Sequence, residues 1–384
     1  MDIASQLQIS VIIPTYNRSD YLKEAVESIV EQTISPLEII VINDGSDYDV
    51  DELLVDYKSK VTVINKVNGG KPTAVNLGVQ ISKGTHIWVF DDDDIALLDY
   101  IEKCIPSLEN GKTDYVFGWH FAGATKNGGG IEETEKRMPH MKNNADIFIK
   151  SLEGCSIAHN AIIAKKSCYI ALNGIDTSFP CSEDYEFQLR LSKLYKGEFI
   201  NTPSFYRRVH DGERGGVNFK YKARERRQKF IEQDRRFILK HLQTLNIEEF
   251  VTCDGAVLLD VSEKRRHSYI EKMYIAARVG LWEEFKNTLE VMFEDEICLL
   301  KPLSKEEKES ISMMLAFADE AVMSPFYLHF RELKTTFVKY KHTLAQDVRN
   351  SIHNGLLRNS YSCLRNKKIF NALRSLKHYV LLSS

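Results

Sequence analysis

Short apolar segments alternate with amphipathic segments along residues 8–90. Four apolar segments are rich in Val and Ile, which is typical of buried strands. These predicted strands are Ile9–Ile13, Leu37–Ile42, Val61–Ile64 and His86–Phe90. Between them, apolar residues recur at helical spacing from Leu22 to Val30 and from Ala74 to Ile81. Strands separated by helices predict a mostly parallel sheet with helices on both faces.

The pattern becomes mostly helical after about Asn218. A chain of 384 residues is long enough for about two domains. We therefore predict an α/β domain over residues 1–218 and an α-helical C-terminal domain over residues 219–384. The predicted C-terminal helices are Tyr269–Val279, Leu281–Phe293, Ser304–Ala321, Tyr327–Lys341 and Arg365–Leu381, the first two joined at Gly280. In the first domain, residues 119–144 are rich in Gly and Lys and are expected to form a mobile loop over a binding site.

Composition excludes several classes of protein. Hydrophobic residues make up 43% of the chain and charged residues 27%, an ordinary globular balance that argues against extensive disorder. The formal net charge is -3, so no overall field attracts nucleic acid and we predict no nucleic-acid partner. The seven cysteines are dispersed without a Cys-x-x-Cys pair. That pattern argues against a zinc knuckle and is typical of a reduced, cytoplasmic protein.

Membrane contact is expected at most at the surface. The first residues lack the apolar core of a signal peptide, and no window of about 18 residues is apolar enough to span a bilayer. The segment Ser351–Ser384, however, contains six Lys or Arg and no Asp or Glu, with Leu373, Leu376, Val380 and Leu381 at helical spacing. One interpretation is a peripheral contact with the inner face of the plasma membrane. The other is a last helix packed on its neighbours, with its basic face in solvent.

Four polar clusters follow the predicted strands or open a helix, which is where open α/β sheets bind ligands. They are Pro14-Thr15-Tyr16-Asn17, Asn43-Asp44-Gly45-Ser46, Asp91-Asp92-Asp93-Asp94 and Ser182-Glu183-Asp184. Taken alone, the first two are ordinary strand ends and turns. The segment Asn68-Gly69-Gly70-Lys71 adds a flexible turn with a cation that suits a diphosphate. Neither the P-loop spacing nor the Gly-x-Gly-x-x-Gly dinucleotide motif is present.

The four consecutive aspartates, here called the acidic run, predict a metal site. Adjacent carboxylates repel one another, and burying them without a counter-charge is costly. Carboxylate oxygens are the ligands that Mg²⁺ and Mn²⁺ prefer. Along an extended chain, Asp91 and Asp93 would lie on one face and Asp92 and Asp94 on the other. The alternative is a solvated loop that caps the following helix.

In combination, the clusters resemble the family 2 glycosyltransferases of bacterial polysaccharide synthesis, which have the GT-A nucleotide-sugar fold. The resemblance covers roughly residues 8–215. The matching segments are Ser10–Asn17, Asn43–Ser46, Asn68–Gly78, Gly84–Asp94 and Glu183–Arg190, in the family's order. The resemblance implies an inverting enzyme that moves a sugar from a nucleotide donor, here expected to be a UDP-sugar, with Mn²⁺ or Mg²⁺ as cofactor. The implied acceptor is a saccharide, lipid-linked or protein-linked hydroxyl.

The resemblance also implies roles for single residues. Asp44 matches the acid that holds the base of the nucleotide, and Asp92 the one that contacts the ribose. Asp93 matches the metal ligand, with Asp91 beside it, and Asp184 matches the catalytic base. We assign the other donor contacts to Pro14, Thr15, Tyr16, Asn17, Lys71 and Arg207, the two cations facing the diphosphate. His210 is a further candidate near the metal or diphosphate, whereas His159 is expected to be structural. The segment Asn173–Asp176 resembles the part that leads to the acceptor site.

Two departures from the family pattern matter. The acidic run has four Asp, so the register of the metal ligands is open by one residue. Gln188 and Arg190 do not form the Gln-x-x-Arg-Trp motif of processive members, which favours transfer of a single sugar or a few. Two other functions stay open: a non-catalytic nucleotide-sugar-binding module with a partner-docking helical half, and a sugar nucleotidyltransferase. The latter would place a Gly-rich basic loop after the first strand, where this chain has Pro-Thr-Tyr-Asn.

Overall fold

The computed structural model describes the chain except for residues 1–6, 127–128, 140, 142–143, 210–213, 217–218, 222–224, 253–259, 317 and 384. The chain divides into two compact units, Met1–Arg226 and Arg227–Ser384. Among the described residues, no helix has both the length and the apolar character needed to cross a bilayer.

The first unit contains the sheet. Its strands are Ile9–Thr15 (β1), Glu38–Asn43 (β2), Val61–Asn65 (β3), His86–Val89 (β4), Ile95–Ala96 (β5), Tyr115–Thr125 (β6), Ile131–Arg137 (β7), Ile162–Lys165 (β8), Gly197–Val209 (β9), Arg214–Gly216 (β10) and Phe219–Tyr221 (β11). Its helices are Ser19–Val30 (α1), Val50–Leu53 (α2), Lys71–Ile81 (α3), Tyr100–Glu109 (α4), Ile147–Glu153 (α5), Lys166–Ala171 (α6) and Glu183–Leu194 (α7). Short 3₁₀ turns lie at Val55–Tyr57, Asn144–Asp146 and His159–Ala161.

Within the described residues, the main sheet has nine strands. Eight follow the order β3-β2-β1-β4-β8-β6-β9-β5, and β7 pairs with the C-terminal half of β6. The strands β3, β2, β1 and β4 are mutually parallel, as the alternation of strands and helices predicts. Beyond β4 the sheet is mixed, because β8 runs antiparallel to both β4 and β6. The predicted α/β class is therefore confirmed, with parallel pairing among the first four strands in the order and again between β6 and β9.

The pleat of β1 explains the two hydrophobic cores. Val11 and Ile13 point to one face of the sheet, where they pack with α1 and α4. Ile12 points to the other face and packs with Ala74 and Val75 of α3. All three side chains of β1 are fully buried, as expected for a strand with helices on both faces.

The prediction of a mobile loop over residues 119–144 is wrong for much of that segment. β6 and β7 form an antiparallel hairpin, and β6 also pairs in parallel with β9. Gly123 is required by this pairing, because a Cβ there would lie 1.7 Å from the backbone oxygen of Glu132. β6 is stabilised as a strand by its alternating aromatic residues and by pairing with β9, which lies far along the chain. The glycines of this segment instead indicate a loop.

The second unit is helical. Its helices are Arg226–Thr244 (α8), Val261–Arg278 (α9), Trp282–Glu294 (α10), Glu296–Leu299 (α11), Lys305–Ala316 (α12), Glu320–Lys339 (α13), Thr343–Arg365 (α14) and Ile369–Ser383 (α15), with a 3₁₀ turn at Ile247–Phe250. A capping box begins α9, since the Asp260 carboxylate accepts from the Glu263 N–H at 2.9 Å and the Glu263 carboxylate accepts from the Asp260 N–H at 3.1 Å. Gly280, with φ of +73°, joins α9 and α10 as predicted.

The helix boundaries predicted further along the chain need correction. The prediction Ser304–Ala321 runs across the start of α13, where Asp319 is the N-cap and accepts from the Val322 N–H at 3.3 Å. The prediction Arg365–Leu381 joins two helices that are separate. Arg365 ends α14, and Lys367 adopts a φ of 59° before α15 begins.

Candidate active site

The parallel strands bring the predicted donor segments to one edge of the sheet. β1 and β2 pair in register, so Thr15 lies opposite Asn43, and β4 runs parallel to β1 on its other side. The segments that follow these three strands therefore meet at the same edge. Pro14 and Thr15 are buried there, whereas Tyr16 is half-buried and Asn17 is exposed.

The turns after β1 and β2 are joined by hydrogen bonds. Asn17 adopts a φ of 53°, and its N–H donates to Ser46 Oγ at 3.0 Å. Its side-chain oxygen accepts from the Asp47 N–H at 2.9 Å. The Asp44 N–H donates to the Thr15 carbonyl at 2.9 Å, which continues the pairing of the strands. The Pro14–Asn17 segment and the Asp44 turn therefore form one structured rim.

Asp44 is buried beneath the loop that precedes α3. One carboxylate oxygen accepts from the Gly69 N–H at 2.9 Å and the other accepts from the Gly70 N–H at 2.8 Å. The Lys66 ammonium also donates to this carboxylate. Gly70 has a φ of +87°, a conformation that suits glycine. Asp44 therefore organises the loop that leads to Lys71.

Lys66 was not among the residues predicted from the sequence. It follows β3 on the same edge and contacts Asp44, the Val67 carbonyl at 2.7 Å and Thr73 Oγ1 at 3.0 Å. A cation directly after a predicted strand, next to an acid after the neighbouring strand, was the signal that could have identified it. Its role in this structure is to neutralise Asp44.

The structure brings Lys71, Asp91 and the start of α7 together. The Lys71 ammonium donates to the Asp91 carboxylate. Although burial opposes its charged form, the carboxylates of Asp91, Glu183 and Asp184 raise the pKa of Lys71 above its ordinary value. Burial and the charge of Asp184 raise the pKa of Glu183 to about 7, against the opposing effect of Lys71. The predicted base and the predicted diphosphate cation therefore share one electrostatic site.

Asp184 lies in the first turn of α7. Its Oδ1 accepts from the Tyr185 N–H at 2.8 Å, and the preceding Ser182 has a φ of 61°. The free N–H groups and dipole of a helix start stabilise an ionised carboxylate. This placement allows Asp184 to carry a negative charge beside Lys71.

The acidic run does not alternate as expected for an extended chain, because it turns at Asp92 and Asp93. One carboxylate oxygen from each of Asp91, Asp93 and Asp94 lies within 4.8 Å of the others. Asp94 therefore joins the side chains predicted to hold a metal, and the expectation that it points to the other face is wrong. Burial and the charge of Asp93 raise the pKa of Asp92 to about 7, and the same two effects raise that of Asp94 well above its usual range.

Asp94 is held by two donors from distant parts of the chain. Its Oδ2 accepts from the Asn160 side-chain amide at 2.6 Å, and its Oδ1 accepts from the Arg208 N–H at 2.8 Å. Asp93 has the Arg18 guanidinium 3.8 Å away. The run therefore combines a fixed carboxylate at Asp94 with the more exposed carboxylates of Asp91 and Asp93.

Arg208 fixes the backbone of the acidic run. Its side chain is fully buried and forms an ion pair with Glu24 of α1 at 2.9 Å. Its Nε–H donates to the Asp93 carbonyl at 2.9 Å, and a terminal N–H donates to Thr125 Oγ1 at 3.1 Å. The guanidinium also lies over the Tyr21 ring at 4.5 Å. This one side chain therefore connects the run to α1 and to the β6–β7 hairpin.

We expect Arg208→Met to destabilise the first unit by about 2–4 kcal/mol, because it removes several buried hydrogen bonds and the partner of Glu24. Urea denaturation followed by tryptophan fluorescence would measure the change. Arg137→Met is the matched control, since Arg137 is exposed and pairs with exposed Glu135 at 2.6 Å, and we expect it to change stability by less than about 0.5 kcal/mol. An unchanged unfolding midpoint in Arg208→Met would contradict the role given to Arg208.

Two further residues predicted for the site are Arg207 and His210. β9 places Arg207 opposite Ala122 of β6, and its positive charge opposes the rise in the pKa of Asp94. Arg207 therefore lies near the acidic run. His210 lies outside the described residues.

His159 has a structural environment, as expected. It is buried, with Nε2 3.0 Å from the Tyr169 hydroxyl, and it packs against the Phe187 ring at 5.7 Å. Burial and the charge of Lys71 lower its pKa to about 4. The imidazole is therefore neutral at neutral pH.

The segment Asn173–Asp176 is held from two sides. The Asn76 side chain of α3 donates to the Ile175 carbonyl and accepts from the Ile175 N–H, both at 2.8 Å. Arg190 of α7 donates to the Gly174 carbonyl at 3.0 Å. A Cβ at Gly174 would lie 2.3 Å from the Asn76 amide oxygen. This segment is therefore fixed between the helix that begins at Lys71 and the helix that carries Asp184.

Comparison with known proteins identifies the class. The family model described as Glycosyl transferase family 2 matches residues 10–168. An uncharacterized glycosyltransferase of Methanocaldococcus jannaschii is 30% identical over 200 residues, which are 50% of this chain and 67% of that protein. An uncharacterized glycosyltransferase of Rickettsia typhi is 27% identical over 211 residues, 53% of this chain and 65% of that protein.

The chain belongs to glycosyl transferase family 2. It spans less than two thirds of the Rickettsia typhi relative, at 65% of its length. The crystal structure of S. aureus TarS 1-349 has a TM-score of 0.51 at 15% identity, covering 93% of this chain and 91% of that one. TarS 1-349 in complex with UDP-GlcNAc has a TM-score of 0.50 at 17% identity, covering 93% and 92%. This likeness confirms the predicted GT-A class of fold with a helical C-terminal region.

Proposed function

We propose that the protein is an inverting, metal-dependent glycosyltransferase that moves a sugar from a UDP-sugar to an acceptor hydroxyl. The observation that carries the proposal is the meeting of Asp44, Lys71, the acidic run and Asp184 at one edge of the sheet, in a chain of this family. A nucleotide base, a diphosphate, a metal and an acceptor each need one of these groups.

The residues fit a divalent cation. Asp91, Asp93 and Asp94 offer hard oxygen ligands within 4.8 Å of one another, and Mg²⁺ and Mn²⁺ prefer such ligands. Burial and mutual repulsion raise the pKa of Asp92 and Asp94, which indicates a site short of positive charge. We infer that Asp93 and Asp91 hold Mn²⁺ or Mg²⁺, with Asp94 fixing the run. When bound, the ion would neutralise charge on the diphosphate leaving group.

The chain's own cations support the same leaving group. Lys71 stays protonated because carboxylates surround it, so it can donate to a diphosphate oxygen. Arg207 is the second cation near the acidic run. We choose UDP as the nucleotide because TarS, a protein of similar fold, is in complex with UDP-GlcNAc. The sugar is left open within the UDP-sugars.

Asp44 is proposed to bind the base of the nucleotide. Three protein donors already contact its carboxylate, and a carboxylate has about four acceptor sites. A base N–H at the remaining site would form a charge-assisted hydrogen bond.

We expect Asp44→Asn to weaken UDP binding by about ten- to a hundredfold, the value of a charge-assisted hydrogen bond of roughly 1.5–3 kcal/mol. Titration calorimetry with UDP would measure the affinity, and the melting temperature would show whether the fold persists. Asp56→Asn is the control, since Asp56 is an exposed acid that pairs with Lys23. An unchanged affinity for UDP in folded Asp44→Asn would refute this assignment.

Asp184 is proposed to accept the proton of the acceptor hydroxyl. As the acceptor oxygen bonds to the anomeric carbon, the bond from that carbon to the diphosphate breaks and the proton passes to the carboxylate. Attack opposite the leaving group inverts the anomeric centre. Glu183, with a pKa of about 7, is the second candidate because its pKa lies near the operating pH of an enzyme.

The acceptor is proposed to be a saccharide, lipid-linked or protein-linked hydroxyl in surface polysaccharide or glycoconjugate synthesis. The cellular location is inferred to be the cytoplasm, because the six cysteines that the structure describes are all free thiols. The fixed Asn173–Asp176 segment, beside the helix of Asp184, is the proposed wall of the acceptor site.

The proposal is tested by donor binding and product stereochemistry. A panel of nucleotide sugars should raise the melting temperature selectively, with UDP-sugars in the stabilising group. Proton NMR of the transferred sugar should show a β-linkage from an α-linked donor. Retention of the α configuration would overturn the inverting mechanism. Stabilisation without any turnover would instead favour the non-catalytic binding module.

A further inference from the structure

The last helix of the chain exposes apolar side chains along one face. In α15, the exposed residues recur every three or four positions and include Phe370, which is 74% exposed. These residues, here called the outer face, are Ile369, Phe370, Leu373, Leu376, Val380 and Leu381. An exposed apolar stripe of this length is unusual on a soluble domain and indicates an interaction surface.

The helix is anchored through its opposite side. Ala372, Ser375 and Leu382 are almost fully buried. Ser375 Oγ donates to Asn359 Oδ1 of α14 at 2.7 Å and lies 2.6 Å from the Tyr327 hydroxyl of α13. The outer face therefore does not belong to the core of the second unit, and the helix is held with that face directed away from α13 and α14.

The end of α14, which leads into α15, also exposes apolar side chains. Leu364 is 52% exposed and Tyr361 is 76% exposed. From Leu364 to Phe370, every residue is exposed. This turn therefore presents apolar residues at both ends and basic residues between them.

Basic residues predominate along this surface, although the Glu320 carboxylate of α13 accepts from the Asn371 side-chain amide at 3.4 Å. The segment Ser351–Ser384 contains six Lys or Arg and no Asp or Glu. Arg365, Lys367, Lys368 and Lys377 are exposed, and the Arg374 guanidinium lies over the Tyr327 ring at 4.6 Å. A second copy of the chain would bring the same positive charge to the contact, which disfavours self-association through this face.

We propose that the outer face of α15 and the adjoining turn bind the surface of an anionic lipid bilayer. The helix would lie in the plane of the interface, with Phe370 and Leu373 among the acyl chains and the lysines at the anionic headgroups. Apolar burial and charge attraction act together in this arrangement, and neither a neutral bilayer nor a basic protein surface supplies both.

Flotation of the full chain with lipid vesicles tests this proposal independently of any transferase activity. We expect binding to phosphatidylcholine vesicles that contain about one third phosphatidylglycerol, and little binding to phosphatidylcholine alone. High salt should reduce the binding, because the lysines act through screened charge. Phe370→Ser should lower the partition coefficient about tenfold. Lys367→Glu with Lys368→Glu should lower it by at least about tenfold.

Two control variants separate this surface from general effects. Leu328→Ser removes an apolar side chain that is 78% exposed on α13, and Lys305→Glu reverses an exposed charge on α12. Both should float like the unmodified chain, and all variants should keep their melting temperature because the changed side chains are exposed. Absence of vesicle binding, or equal binding by all variants, would overturn the proposal. Self-association that Phe370→Ser abolishes, without vesicle binding, would overturn it in favour of a second copy.

Discussion

Asp184→Asn is expected to lower the rate of sugar transfer by about 10²–10⁴-fold, with UDP affinity and melting temperature nearly unchanged. Asn has the same shape as Asp, and its side-chain oxygen can still accept the Tyr185 N–H that Asp184 binds at 2.8 Å. The substitution therefore removes the proton acceptor and keeps the helix start. Steady-state rates with a saturating donor would measure the loss, and hydrolysis of the donor by water should fall less steeply.

The matched control is Asp49→Asn, because Asp49 is also an acid at a helix start and accepts from the Glu52 N–H at 3.0 Å. It should leave transfer unchanged. A near wild-type rate for Asp184→Asn would remove Asp184 from the catalytic role. If Glu183→Gln then lost activity by a similarly large factor, the base would be Glu183, whose pKa burial and Asp184 raise to about 7.

Asp93→Asn is expected to abolish most activity, by about 10²–10³-fold, and to leave the protein folded. Asp93 is the carboxylate that we assign to the metal, and it also raises the pKa of Asp92 and Asp94. Neutralising it removes a repulsion, so the melting temperature should stay the same or rise. Transfer assays and thermal denaturation of the same preparations would measure both quantities.

Chelation should have the same effect on the unmodified chain, and added Mn²⁺ or Mg²⁺ should restore its activity. Asp99→Asn is the control, because Asp99 lies shortly after the acidic run but is partly exposed and pairs with Lys103 at 3.9 Å. Full activity of the unmodified chain in excess EDTA would contradict the metal assignment.

Local pattern was sufficient to predict the parallel half of the sheet. The segments from Ile9 and from His86 are apolar on both faces, so the helices on either side of β1 and β4 could be predicted before any contact was known. The same reasoning failed for β6 and β7, because their stability comes from pairing with one another and with β9 rather than from local pattern. Glycines such as Gly123 then indicate a loop where the strands in fact approach closely.

In the candidate site, too, some positions follow from local pattern and others depend on contacts between distant parts of the chain. Asp44, Lys71 and the acidic run follow strands, and their approach can be inferred from the sheet alone. The contacts of Asp94 with Asn160 and Arg208 join residues far apart in the sequence. Nothing local to these residues indicates such pairs, so the membership of Asp94 in the metal cluster could not be predicted.

Transfer of a sugar from a UDP-sugar at this site would be followed through its phosphorus-containing products. Purified protein would be incubated with UDP-sugars, Mn²⁺ and candidate acceptors, and in parallel with UTP and sugar phosphates, and followed by phosphorus NMR. We expect the unmodified protein to release UDP from a UDP-sugar, and to release it faster with an acceptor. We expect Asp93→Asn to release little UDP. Pyrophosphate from UTP and a sugar phosphate, with no UDP from any UDP-sugar, would contradict sugar transfer and identify a nucleotidyltransferase.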